Sequence, residues 1–184
     1  HRKGRIVGKE TVDIIRTVLK RHGAPINLVQ TPDLPASRKA TNAFMKHDGI
    51  SFILATGGPS MVKSAYQSGT PAIGVGKGNA PVWVTTGSDV NDAAHKIVMS
   101  KSFDNGIVCG SENNLLVDDG IYNEFIKAAE VHGAALLTMR EAKQLAAIAF
   151  PNSERLNEHW VGRTAKEICE AAGIHRHFDI KLIL

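Results

Sequence analysis

The feature that most constrains this chain is the alternation of short apolar runs with longer amphipathic stretches. Four of the short runs predict β-strands, at residues 50–56, 72–75, 115–117 and 134–137. Strands that alternate with helices are typical of a mainly parallel sheet, because parallel neighbours need a crossover connection between them. We therefore predict an α/β fold, and the dense apolar run at residues 50–56 indicates a strand buried on both faces.

Helices are predicted where apolar residues recur at helical spacing, and local signals mark their ends. The clearest stretches are residues 9–22, 122–131 and 163–172, with Gly23 and Gly173 as the expected ends of the first and the last. Other residues mark helix starts. Pro59 is expected in a first helical turn and Asp89 as an N-cap, and Thr138 forms a capping box with Glu141 before a helix that runs to Ala149.

Composition excludes several classes of protein. The 184 residues carry a net charge of +4, but Lys and Arg are interspersed with Asp and Glu, so we expect no nucleic-acid partner. No apolar run is long enough to cross a bilayer and no signal-peptide pattern opens the chain, so we expect no membrane partner and a cytoplasmic location. Because the sequence begins at His1, we also expect it to be a piece of a longer protein.

The first candidate for chemistry is Cys109, which lies in a loop of small residues after an amphipathic helical pattern. Gly106 and Gly110 flank it and would let a substrate approach the sulfur, as a nucleophile requires. Local spacing alone favours an inert packing role, because most free cysteines are buried. Cys169 lies inside a helical stretch and is predicted to be a core residue. The spacing of cysteines and histidines predicts no metal site.

Two glycine-rich turns follow predicted strands. Thr56, Gly57 and Gly58 lead into a helix, where free backbone N–H groups and the helix dipole would favour an anion. A purely structural turn is the alternative, since the full dinucleotide fingerprint is absent. The second turn comprises residues 74–79. Lys77 would either bind a phosphate or be solvated. Asn79 would either hydrogen-bond a ligand or be a turn residue.

Three stretches together resemble a known family. Residues 53–63 (ILATGGPSMVK), 69–79 (GTPAIGVGKGN) and 100–109 (SKSFDNGIVC) are similar in order and separation to CoA-acylating aldehyde dehydrogenases, above all to the aldehyde half of bifunctional aldehyde-alcohol dehydrogenases. The likeness continues through residues 161–168 (VGRTAKEI) and covers nearly the whole chain. Three motifs in one order are far more specific than any single glycine turn.

The resemblance implies a fold and a set of site residues. Residues 1–79 would be the C-terminal part of a Rossmann-like NAD(P)-binding domain, and residues 80–184 the first part of an α/β catalytic domain. Cys109 would be the catalytic nucleophile. The residues implied to bind the cofactor are Thr56, Gly57, Gly58, Gly74, Val75 and Gly76.

The resemblance also implies a reaction: NAD(P)-dependent oxidation of a small aldehyde to acyl-CoA through a cysteine thiohemiacetal and thioester, with coenzyme A as co-substrate. Hydrolytic relatives carry a glutamate base in the loop corresponding to residues 73–76, and no carboxylate occurs there in this chain. We expect the full-length parent protein to be a homo-oligomer. Two alternatives stay open: a charged aldehyde such as sulfoacetaldehyde, or a catalytically silent cofactor-binding or oligomerisation fragment.

Overall fold

The structure, a computed structural model, describes residues 4–33, 35, 37–76, 78–151 and 155–184. The chain divides into two compact units, His1–Lys77 and Gly78–Leu184. Each unit has its own helices, parallel strand pairs and apolar core.

The first unit is built on one parallel strand pair. Its elements are α1 (Arg5–Arg21), a 3₁₀ turn (Ile26–Leu28), α2 (Arg38–Met45), β1 (Ile53–Thr56), α3 (Pro59–Tyr66) and β2 (Ala72–Val75). Strands β1 and β2 are parallel, with Thr56 beside Val75, and α3 is the crossover between them. The core of this unit consists of Met45, Ile53, Ala55 and Ala65. The strand predicted at residues 72–75 and Pro59 in the first turn of α3 are confirmed, whereas the strand predicted at residues 50–56 begins only at Ile53.

One face of this strand pair is open, which corrects an expectation from the sequence. Along β1 the side chains alternate between buried and exposed, and Leu54 is 71% exposed. On β2, Ile73 is 55% exposed. The prediction that residues 50–56 form a strand buried on both faces is therefore wrong, because α3 covers one face and the side chains on the other lie open to solvent.

The second unit contains two parallel strand pairs. Its elements are β3 (Ala80–Val84), α4 (Val90–Ser102), a 3₁₀ turn (Phe103–Gly106), β4 (Glu112–Val117), a 3₁₀ turn (Asp119–Ile121), α5 (Tyr122–Val131), β5 (Ala134–Ala135), α6 (Met139–Ala149), a 3₁₀ turn (Glu158–Trp160), α7 (Ala165–Ala171) and β6 (Leu182–Ile183). Strand β3 pairs with β4, and β5 with β6. All strand pairs in the described part of the chain are parallel, which confirms the α/β prediction.

Two apolar clusters hold the second unit together. Phe125 and Val98 are buried in the first, where α4 and α5 pack beside the β3–β4 pair. Cys169 and Ile174 are buried in the second, and Cys169 has no exposed surface. The prediction that Cys169 is a core residue is confirmed. Truncation of a buried side chain as large as Phe125 to alanine costs about 3–5 kcal/mol in comparable cores.

Helix ends follow the capping signals in the sequence. The Asp89 carboxylate accepts a hydrogen bond from the backbone N–H of Asp92 (2.9 Å) at the start of α4. Gly23 and Gly173 follow α1 and α7 with φ of +70° and +72°, a conformation that glycine adopts without strain. The predicted capping box of Thr138 is present at α6.

A second capping box was not predicted from the sequence. Thr164 accepts a hydrogen bond from the N–H of Glu167, and the Glu167 carboxylate accepts from the N–H of Thr164 in return. Helix α7 therefore begins at Ala165, two residues later than the periodicity predicted. None of the helices in the described part of the chain has both the length and the hydropathy that a bilayer span requires.

The capping box of α6 is coupled to an ion pair. Arg176 donates to both carboxylate oxygens of Glu141, at 2.7 and 3.0 Å, and Thr138 donates to the same carboxylate. Arg176 also donates to the carbonyl of Leu136 (2.9 Å) and so links the segment after α7 to the start of α6. These hydrogen bonds, those from Arg176 foremost, lower the pKa of Glu141 from 4.5 to about 2.

This pair predicts a specific loss of stability in acid. Because the pKa of Glu141 is lower in the folded protein, its stabilising contribution is complete above pH 4.5 and is lost as the pH falls towards about 2. The melting temperature of Glu141→Gln should therefore fall less steeply than that of wild type over this pH interval. Glu124→Gln, which changes an exposed carboxylate in the first turn of α5, is the control and should follow wild type. Parallel curves for all three proteins would contradict this assignment.

Candidate active site

Cys109 lies in the second unit, in the loop between α4 and β4, and its side chain is exposed. Cys169, the other free cysteine, is fully buried in the core. The local interpretation of Cys109 as a packing residue is therefore excluded, and its sulfur is open to reagents. Burial raises the pKa of the Cys169 thiol above its usual value.

The backbone before Cys109 has an unusual conformation. Asp104, Asn105 and Gly106 have φ of 49°, 52° and 73°, three successive residues in the left-handed region. Non-glycine residues adopt this region at an energetic cost, and Asn and Asp tolerate it best. The side-chain amide of Asn105 donates to the carbonyl of Gly162 (2.9 Å), which anchors the loop against the segment before α7. Strained backbone held by such contacts is found most often at functional sites.

Cys109 itself occupies a tight turn closed by Ser111. The backbone N–H of Ser111 donates to the carbonyl of Val108 (3.2 Å), and the Ser111 hydroxyl donates to the same oxygen (2.7 Å). Ser111 is only 3% exposed to solvent, whereas Cys109, which lies between Val108 and Ser111 in the sequence, is an exposed residue. Within the described part of the chain, the backbone N–H of Cys109 donates to no acceptor. The turn therefore presents a sulfur and a backbone N–H from the same residue, and this N–H has no acceptor among the residues that the structure describes.

Lys101 joins the two ends of this loop. Its ammonium, at the end of α4, donates to the Ser111 hydroxyl (3.2 Å) and to the side-chain oxygen of Asn113 in β4 (2.9 Å). Among the described residues, no carboxylate oxygen lies within 4.0 Å of this ammonium. The sequence assigned no role to Lys101 or Ser111, because their contact forms only when the loop closes and no spacing rule anticipates it.

The start of β3 lies beside the same turn. A side chain at Gly78 would approach the Cys109 carbonyl to 3.1 Å, so this position favours glycine. Asn79 accepts a hydrogen bond from the Asn114 side chain (2.7 Å), a long-range contact that neither the ligand nor the turn interpretation predicted. Lys77, the suggested phosphate contact, lies outside the described residues. One carboxylate oxygen of Glu112 is buried with no hydrogen-bond partner in the described structure.

The six residues expected to bind the cofactor come together in the first unit. All lie at or just beyond the carboxyl ends of β1 and β2, where Thr56 is beside Val75 and the backbone of α3 begins. Ligands of parallel α/β sheets bind beyond this edge. A Cβ at Gly58 or Gly76 would meet nothing within 4 Å, which leaves space for a ligand against the backbone.

Gly57 and Gly74 contribute to the packing of α3. A Cβ at Gly74 would collide with the Val62 side chain, and one at Gly57 would lie 2.7 Å from the Met61 sulfur. The N–H of Gly74 also donates to the Tyr66 hydroxyl (3.0 Å). The sequence alone left open whether glycine is needed at these two positions for packing or for a ligand. Their contacts with α3 support the packing explanation.

No metal-binding arrangement of His, Cys, Asp and Glu side chains occurs in residues 4–33, 35, 37–76, 78–151 and 155–184. His22 and His132 are the C-caps of α1 and α5. His132 also shares a hydrogen bond with Asn91 (3.0 Å).

Comparison with known proteins identifies the family. Residues 11–171 match the aldehyde dehydrogenase family. The chain belongs to this family. Over 168 residues it is 44% identical to an aldehyde-alcohol dehydrogenase of Streptococcus pneumoniae, a match that covers 87% of this chain and 19% of the relative. The resemblance seen in the three motifs is thereby confirmed.

Solved aldehyde dehydrogenases share the fold. An acetylating aldehyde dehydrogenase of Geobacillus thermoglucosidasius is 40% identical and superposes with a TM-score of 0.86 over 95% of this chain and 38% of its own. A propionaldehyde dehydrogenase of Rhodopseudomonas palustris, solved with bound CoA and an acylated cysteine, is 33% identical with a TM-score of 0.90, covering 100% of this chain and 42% of its own. The chain thus spans between a fifth and about two fifths of these relatives.

The contrast between the two cysteines predicts selective alkylation. At neutral pH, iodoacetamide should label Cys109 at least about tenfold faster than Cys169, because Cys169 is buried and its thiol pKa is raised. Peptide mass spectrometry over a time course measures both rates in one sample of the full-length protein. Urea-unfolded protein is the control and should label both residues alike. Similar slow labelling in the native state would show that Cys109 is not accessible.

Proposed function

We propose that this chain carries the catalytic cysteine and part of the cofactor site of a CoA-acylating aldehyde dehydrogenase. The reaction converts an aldehyde, NAD(P)⁺ and coenzyme A to acyl-CoA, NAD(P)H and a proton. The observation that carries the proposal is the exposed Cys109, whose turn also presents a backbone N–H with no acceptor in the described structure. A nucleophile and an oxyanion donor are the two groups that attack on a carbonyl requires.

The proposed chemistry begins at the Cys109 sulfur. The thiolate attacks the aldehyde carbon, a C–S bond forms, and the carbonyl electron pair moves to oxygen, where the Cys109 N–H stabilises the charge. The cofactor, when bound, supplies the acceptor for the hydride that leaves this carbon. Cys109 then holds the acyl group as a thioester. The thiolate of coenzyme A attacks that thioester, and the Cys109 thiolate leaves as acyl-CoA forms.

Transfer to a thiol rather than to water is supported by the sequence of the second glycine turn. Residues 73–76 contain no carboxylate that could act as a base towards water. Coenzyme A needs less assistance because a thiol ionises far more readily than water. The related propionaldehyde dehydrogenase was solved with CoA and an acylated cysteine, which is the state that this proposal assigns to Cys109.

The nucleotide site is proposed at the carboxyl ends of β1 and β2. The open space at Gly58 and Gly76 fits a ligand that lies against the backbone, and the exposed Thr56 and Val75 flank it. On this proposal residues 1–79 end an NAD(P)-binding domain, and residues 80–184 begin the catalytic domain. Gly57 and Gly74 contribute by holding α3 against the strands so that this edge keeps its shape.

The proposed substrate is a small aldehyde, and the full-length protein is proposed to be a homo-oligomer. A panel of acetaldehyde, propionaldehyde and sulfoacetaldehyde, each with and without coenzyme A, distinguishes neutral from charged substrates. Formation of NAD(P)H that depends on both the aldehyde and coenzyme A supports the acylating reaction. Formation that does not require coenzyme A favours hydrolysis and contradicts it.

Replacement of the nucleophile provides the central mutational test. In the full-length protein, Cys109→Ala should reduce CoA-dependent NAD(P)H formation by at least about 10⁴-fold, since the proposed covalent steps all form or break a bond to its sulfur. Its affinity for NAD(P)⁺, measured by calorimetry, should stay close to wild type. Cys169→Ala is the matched control and should retain activity. Activity of Cys109→Ala near that of wild type would remove Cys109 from the mechanism.

The two kinds of glycine predict two different mutant phenotypes. Gly58→Val places a side chain in the open space and should weaken NAD(P)⁺ binding about tenfold or more at an almost unchanged melting temperature. Gly74→Ala should instead destabilise the fold by about 1–3 kcal/mol, since its Cβ meets Val62. Gly87→Val, at another exposed glycine, is the control for nucleotide binding. Unchanged affinity in Gly58→Val would contradict the proposed nucleotide position.

A further inference from the structure

We propose that Ser111 and Lys101 are positioning residues, which fix the peptide between Val108 and Cys109 so that its N–H points at the developing oxyanion. The inference rests on the proposed function, because it assigns the Cys109 N–H to the stabilisation of charge on the substrate oxygen. It extends that function by naming two residues that act through the peptide, without touching the substrate.

The Val108 carbonyl oxygen accepts two hydrogen bonds from the same residue. Both the N–H and the hydroxyl of Ser111 donate to the Val108 oxygen, at 3.2 and 2.7 Å. The carbonyl of Val108 and the N–H of Cys109 belong to one planar peptide and point in opposite directions. Fixing the oxygen therefore fixes the direction of the N–H. Oxyanion donors are effective because they are oriented before the charge develops.

The Lys101 ammonium donates a hydrogen bond to the Ser111 hydroxyl. A hydroxyl has one hydrogen to donate, and its oxygen can accept from other donors. The Lys101 ammonium occupies the accepting side of this oxygen (3.2 Å), which leaves the Ser111 hydrogen directed at Val108. A charged donor also polarises the hydroxyl and strengthens the bond that it donates.

The surroundings of Ser111 and Lys101 strengthen these hydrogen bonds. Ser111 is buried at 3% exposure, so water does not compete freely for its hydroxyl. Lys101 donates to neutral oxygens, those of Ser111 and Asn113, and in the described structure no carboxylate within 4.0 Å neutralises it. Its charge is therefore available to polarise the Ser111 hydroxyl.

Asn105 provides a matched comparison within the same loop. Its amide braces the loop by donating to Gly162 (2.9 Å), but it makes no hydrogen bond to the Val108–Cys109 peptide. Loss of this contact should loosen the whole loop. Loss of the Ser111 hydroxyl should instead remove a restraint from one peptide, the one between Val108 and Cys109. The two changes therefore have different chemical consequences.

The test compares two reactions of Cys109 that differ in whether an oxyanion forms. With p-nitrophenyl acetate, the Cys109 thiolate attacks the ester carbonyl carbon and the reaction passes through an oxyanion. The C–S bond forms, the bond between the acyl carbon and the p-nitrophenoxy oxygen breaks, and p-nitrophenolate leaves with the electron pair. With iodoacetamide, the thiolate displaces iodide in one step without an oxyanion. The ratio of the two rate constants cancels differences in thiolate concentration and access.

In the full-length protein, Ser111→Ala and Lys101→Met should lower this ratio, Ser111→Ala by about 10- to 100-fold and Lys101→Met by less. Removal of an oxyanion donor typically lowers the rate by roughly 10²–10³-fold. The loss expected here is smaller, because these variants keep the Cys109 N–H and lose only the contacts that fix its direction. Ser111→Thr and Lys101→Arg should restore most of the ratio. Asn105→Ala should slow both reactions together and leave the ratio near that of wild type.

Several outcomes would overturn the inference. A wild-type ratio in both Ser111→Ala and Lys101→Met would show that neither residue acts on the oxyanion. An equal fall of both rate constants in these variants would show a structural role like that of Asn105. If Ser111→Ala fails to fold, as judged by its melting curve, Lys101→Met and Lys101→Arg decide the question. If p-nitrophenyl acetate does not acylate Cys109 in the wild-type protein, the proposed function is overturned as well. A failure of the proposed function is thereby distinguished from a failure of the inference about Ser111 and Lys101 alone.

Discussion

Parallel strand pairing is the constraint on which the rest of this structure depends. A parallel pair cannot be closed by a tight turn, so each connection must run back along the strands, here through α3 in the first unit and α4 in the second. In the first unit this leaves the glycine-rich segments at the carboxyl edge of β1 and β2. In the second unit it places the Cys109 loop between the end of α4 and the amino end of β4.

The Cys109 loop combines exposure with a well-defined backbone. Left-handed residues, the Asn105 contact and the Ser111 turn all restrict the main chain, while the sulfur stays open. An exposed loop without such contacts would be mobile, and a mobile nucleophile would lose much of the advantage of orientation. The conformational cost of the left-handed residues is thus offset by contacts that hold the nucleophile ready for attack on a carbonyl.

The sequence predicted most of the local structure and less of the tertiary structure. Helix ends at Asp89, Gly23 and Thr138 follow from capping chemistry, which acts over three or four residues and is visible in a sequence. The open faces of the strand pairs, the two-residue strand β6 and the contact of Lys101 with Ser111 depend on residues distant in sequence or on packing, and no short-range pattern encodes them. Cys109 was singled out by resemblance to the family, since its neighbours alone favoured a packing role.

The most direct test of the account is to trap the acyl group on the enzyme. The full-length protein is incubated with acetyl-CoA in the absence of reduced cofactor, quenched in acid and digested, and its cysteine peptides are analysed by mass spectrometry. The account predicts a gain of one acetyl group on the peptide that contains Cys109, which hydroxylamine removes, and none on the peptide that contains Cys169. An acetyl group on another residue, or none on Cys109, would contradict it.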